Sequence, residues 1–139
     1  MEIIIQERVG SIREMIRTLK GELDKIARGY PINKVLIETL KKGIFFSGQE
    51  HYIALQNELE ATQKEAFNQK IQEKIERLIG LAQWYYKCFE HYWNCYKIGD
   101  DLAKEEFVAY GESYTTIILE ILKLIEHLFH LTTRESIVQ

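Results

Sequence analysis

Proline is almost missing from this chain: Pro31 is the only one in 139 residues, and glycine occurs just eight times. Punctuation that sparse leaves few places to break a helix and argues against a turn-rich β fold. Long uncharged apolar runs are missing too. The most apolar region, IILEILKLIEHLF (117–129), is interrupted by Glu120, Lys123, Glu126 and His127, so a membrane-spanning helix is not expected. The sequence shows no basic-then-apolar leader at its start and has only two cysteines, which points to reduced thiols in a cytoplasmic protein. Neither sign of charge dominates. Lys and Arg number 18 against 21 Asp and Glu, and a net charge of −3 gives no global drive towards nucleic acid or anionic membrane. The spread is uneven, because residues 1–47 hold nine basic against six acidic side chains and the remainder holds nine against fifteen.

What the chain does have is apolar residues at helical spacing. Ile5, Val9, Ile12, Ile16, Leu19, Leu23 and Ile26 alternate spacings of four and three and predict a first helix, stopped by Gly29-Tyr30-Pro31. A second element starts near Ile32–Asn33 and carries Val35, Leu36, Ile37, Leu40 and Ile44, with a kink expected near 43–48. A reversal is expected at 61–66. No proline or glycine marks it, and one helix running unbroken to Tyr96 is the alternative. The third helix has Ile75, Ala82, Phe89 and Tyr96 at heptad a, with Ile71, Leu78, Tyr85 and Tyr92 at d. Gly99-Asp100-Asp101 ends it. The fourth helix carries Phe107, Tyr110, Tyr114, Ile117, Ile121 and Leu124 beside a second row at Ile118, Leu122, Ile125 and Phe129. Four segments of similar length predict an all-α, antiparallel four-helix bundle: one domain over 1–133, with a frayed tail at 134–139.

The segment QWYYKCFEHYWNCY (83–96) concentrates the chain's unusual chemistry, with seven aromatics in fourteen residues, both cysteines and a histidine. Along its half of the helix the flanking positions turn apolar: Ile79, Tyr86 and Trp93 at e, and Leu81, Cys88 and Cys95 at g. A stripe that wide must be covered on more than one side, and Tyr and Trp tolerate a surface that is part wet and part buried. The expected use is a partner surface made by Trp84, Tyr86, Trp93 and Tyr96, with aromatic core packing as the plainer account of the same residues. Cys88, His91 and Cys95 share one edge of the helix and suggest zinc. Yet seven residues of helix separate the sulfurs by ~10 Å, too far for two bonds of ~2.3 Å to one ion. Carboxylate-bridged metals are disfavoured as well. The residues three before His51, His91, His127 and His130 are Gly48, Cys88, Leu124 and His127, none of them glutamate.

Arg13, Arg17 and Lys20 stand on one side of the first helix, and Lys41 and Lys42 lie near them if the second helix packs alongside. Such a strip could meet phosphates, although Glu14, Asp24 and Glu38 interrupt it. No nucleophile–base pair or phosphate loop is present in the pattern, so neither an enzyme nor a cofactor is expected. The expected function is a non-enzymatic interaction module that forms a homo-oligomer or docks a protein partner. A nucleic-acid-associated accessory protein using the basic strip is the alternative, and a metal- or ligand-binding bundle a second one.

Overall fold

The structure is a computed structural model that describes residues 2–45, 47 and 66–138. The chain is an all-α antiparallel four-helix bundle, with no strand among the described residues. Helix α1 spans Glu2–Ala27, α2 covers 34–45, α3 spans Ala66–Lys97 and α4 spans Lys104–Val138. A short 3-10 turn at Asp101–Ala103 leads into α4. Of the kink expected near 43–48, residues 43–45 and 47 are described and helical while 46 and 48 lie outside the described residues, and the reversal expected at 61–66 falls outside them except for Ala66. The backbone of α4 is helical past residue 133 and through Val138.

Two matching turns close one end of the bundle. After α1, the Gly29 amide donates to the Ile26 carbonyl and the Tyr30 amide to Lys25, both at 3.0 Å. After α3, the Gly99 amide donates to Tyr96 at 3.0 Å and the Asp100 amide to Cys95 at 3.2 Å. Both glycines sit in the left-handed region, at φ 92° and 103°, where a Cβ would be strained. Each following helix starts on a side-chain acceptor. Asn33 Oδ1 takes the Leu36 amide, and Asp100 Oδ1 takes that of Leu102, each at 3.1 Å.

The α1 seam packs as its spacing predicts, with Val9, Ile12, Ile16, Leu19, Leu23 and Ile26 all buried. Helices α3 and α4 lie against each other along their length. Phe89 stacks on Phe107 at 5.0 Å between ring centroids, and Tyr86 meets Tyr114 at 5.5 Å. On α4 the core takes Phe107, Tyr114, Ile118, Ile121, Leu122 and Ile125, while Tyr110, Ile117 and Leu124 are only half-buried. The inward face is therefore centred closer to the second row than to the first. Arg13 holds α1 to α4, its guanidinium donating to Glu126 Oε1 from Nη2 at 2.6 Å and from Nε at 2.9 Å.

Gly111 sits where α4 comes nearest the other helices. A Cβ there would lie 2.7 Å from Phe89 Cε1 and 2.8 Å from Leu23 Cδ1, while one on Gly80 would meet nothing within 4 Å. Gly111→Ala should therefore cost about 1–3 kcal/mol in urea denaturation, because the aromatic ring cannot yield as a flexible side chain would. Gly80→Ala should gain roughly 0.5–1 kcal/mol from helix propensity alone. A stable Gly111→Ala variant would show that this close approach does not constrain the packing.

Candidate functional site

Which side of α3 turns inward decides what its aromatic segment offers. Ile75, Ala82, Phe89, Trp93 and Tyr96 are buried, and Trp93 is 0% exposed. The core thus takes the e-row tryptophan as fully as the a positions. Trp93 and Tyr96, expected on a partner surface, are core residues. For Trp93 the reason is α2, which lies along that flank and supplies the second cover the wide stripe needs, whereas Tyr96, at heptad a, packs its ring on Phe107 of α4 at 5.5 Å. Phe45 stacks on the half-buried Tyr86 at 4.4 Å, and the Trp93 indole Nε1–H donates to Glu38 Oε1. Tyr86 is likewise shielded from one side by this helix.

The α2–α3 contact is ionic as well as apolar, which periodicity did not reveal. Lys41, expected in a solvated basic strip, is 2% exposed. Its ammonium lies 3.3 Å from Glu90 Oε1 and 5.6 Å from the centre of the Tyr86 ring. A buried ammonium is tolerated only with such partners. Lys97 reaches Glu38 Oε1 at 3.5 Å, and Lys42 Nζ lies 3.9 Å from Oε2 of the same carboxylate. The Trp93 indole bond, then Lys41 and Lys97, hold the Glu38 carboxyl below its ordinary 4.5, against a burial that pushes the other way. Tyr86 is pushed up to about 12, by burial first and then by Glu90 and Glu38. The available signal was the i,i+3 pair Glu38 and Lys41 facing Glu90 and Lys97 of opposite charge, visible only once the two helices are paired.

Trp84 occupies the opposite side. It is 52% exposed, with Leu81 beside it at 44%. Its ring meets Tyr85 edge-on at 5.1 Å and Tyr110 at 6.1 Å. Tyr110 in turn stacks on Tyr92 at 5.4 Å and 8° between planes. Cys88 is half-buried in the same flank. The result is a continuous aromatic surface across α3 and α4, built from Trp84, Leu81, Tyr85, Tyr92 and Tyr110. Its exposed charged neighbours on the two helices carry both signs: Arg77 and Lys87 on α3, Glu106 on α4.

The remaining candidates are dispersed. Arg13 is engaged with Glu126, and Arg17 with Glu14 at 2.8 Å, while Lys20 is exposed. Lys41 faces the interior, so the five basic residues make no single surface. Cys88 and Cys95 are free thiols, and His91 lies edge-on to Tyr92 at 5.1 Å. Among the described residues, no group of three or more His, Cys, Asp or Glu side chains is placed to hold a metal ion. Nor is any helix there long and apolar enough to cross a membrane. Comparison with known proteins finds no matching family model, no matching curated protein and no matching solved structure.

Two outcomes follow for the ionic seam. Glu90→Ala leaves the Lys41 ammonium buried without its nearest carboxylate and should cost about 1–3 kcal/mol, whereas Lys41→Met, which leaves a part-solvated Glu90, should cost less. Equal losses in urea denaturation would refute the asymmetry. Because the folded-state pKa of Glu38 is depressed, its contribution is present above pH 4.5 and is lost as pH falls through the lower folded value. Glu38→Gln should flatten that part of the stability profile.

Proposed function

We propose that this protein is a non-enzymatic helical interaction module whose docking surface is the aromatic flank of α3 and α4, and that its simplest occupant is a second copy of the chain. The observation that carries the reading is Trp84. It faces away from the core, half exposed, in a surface that continues through Leu81, Tyr85, Tyr92 and Tyr110. Interface centres favour aromatic residues and are depleted in charge, with polar groups at the rim. A two-fold interface must be self-complementary, and a rim holding Arg77, Lys87 and Glu106 offers both signs to a copy of itself. Tyr86, Trp93 and Tyr96 support this surface from behind by fixing α3 against α2 and α4.

Sedimentation equilibrium from micromolar to millimolar protein tests it. The apparent mass should rise towards twice that of one chain, and Trp84→Glu should hold it at the monomer value with little change in urea midpoint. Lys20→Glu, on the exposed side of α1, should leave association unchanged. Trp84 emission should shift to the blue over the same range, since Trp93 is already enclosed. A wild-type chain that stays monomeric throughout sinks self-association.

A further inference from the structure

The turns after α1 and α3 close the same end of the bundle and leave a groove of about 570 Å³ between them. That volume is within the range of small-molecule sites. Its apolar wall comes from Tyr30, Pro31 and Ile98. Tyr30 and Ile98 are exposed at 60% and 81%, so both leave most of their apolar surface outside the core. Lys34, Lys97 and Asp101 supply charged side chains to the same lining. Lys97 shares its charge with Glu38, whereas Lys34 is exposed and forms no ion pair among the described residues.

The inner residue is Tyr96. Only 7% of it is exposed, its ring packs on Phe107 at 5.5 Å, and it also lines the groove. Among the described residues nothing is hydrogen-bonded to its hydroxyl. A buried phenol normally finds a partner, so this one points to a group supplied from outside. Burial, and then the neighbouring Asp101, raise it above its ordinary 10.0, so near neutral pH it keeps the proton it would donate.

We propose that this groove binds a small apolar monocarboxylate, with the carboxylate held by Lys34, Lys97 and the Tyr96 hydroxyl, and the apolar body resting on Tyr30, Pro31 and Ile98. The charge set favours a monoanion. Lys34 is the one ammonium there without an ion pair among the described residues, Lys97 is shared with Glu38, and a phosphate dianion would meet more repulsion from Asp101 than a monoanion would. The site is separate from the Trp84 flank, and neither depends on the other.

Phenylacetate is the probe, titrated into the full chain and followed by 1H–15N NMR. It should shift the Gly29 and Gly99 amides saturably, and phenylacetamide, its uncharged isostere, should bind about tenfold more weakly. Lys34→Met, at an exposed position, should weaken binding several-fold. Tyr96→Phe should do the same while leaving the thermal midpoint nearly unchanged, because the ring still packs on Phe107. Saturable, acid-selective shifts lost in both variants support the site. Acid and amide binding equally, no saturable shift up to the solubility limit, or unchanged affinity in Tyr96→Phe overturns it.

Discussion

Everything distinctive about this bundle depends on Trp93 facing inward with its indole N–H on Glu38. An indole in a core must place its N–H on an acceptor, and among the described residues α2 supplies that acceptor on a helix turn also carrying Lys41. The bond fixes the rotation of α3 about its axis. At ~100° per residue, nine residues amount to half a revolution beyond two full turns, so burying Trp93 turns Trp84 outward. One tryptophan is committed to the fold, and the other is thereby presented to whatever lies outside. The segment that looks like a single aromatic patch in sequence is two faces, one buried and one exposed.

That division explains how much was legible beforehand. The α1 seam could be read residue by residue, because all its partners are apolar and one stripe suffices. The exposure of Trp84 was legible as well, since it falls at heptad c, off the seam. Trp93 was misplaced because a wide stripe does not say which of its borders a neighbouring helix will cover, and Tyr96 because its own a position, which packs inward on Phe107, was set aside. Lys41 was read as solvent-facing for a related reason: apolar periodicity treats every lysine as polar, yet this one is buried against the Glu90 carboxylate and the Tyr86 ring, both from a different helix. Arg13 tells the same story, as Glu126 lies far along the chain. Contacts of that kind become readable only after helix pairing is known.

The ionic seam also differs in kind from the rest of the core. Apolar contacts between α1, α3 and α4 tolerate small sliding, because one methyl group resembles another. The Lys41–Glu90 and Glu38–Trp93 contacts do not. Moving α2 by one turn relative to α3 would leave a buried ammonium and an indole N–H unmatched, a loss of several kcal/mol by the usual cost of such groups. The polar contacts therefore set register more than they add stability. They hold α2 in place at the end of the bundle where the groove lies, since Lys97 both reaches Glu38 and lines that groove.

Trp84 need not be a docking residue merely because it is exposed; it could serve only as a lid over Tyr85 and Tyr110. The magnitudes favour more than that. With 52% of its surface open, the ring leaves on the order of 100 Å² uncovered, about 2–3 kcal/mol of unused burial. A leucine at the same place would shield the tyrosine rings with less apolar surface left in water. The lid account also predicts that Trp84 matters to stability and not to association. Docking predicts the reverse, because the tyrosines beneath stay packed on one another: Tyr92 on Tyr110 needs nothing from Trp84 to remain stacked. The two accounts thus part on which equilibrium responds when the indole is removed, unfolding or assembly.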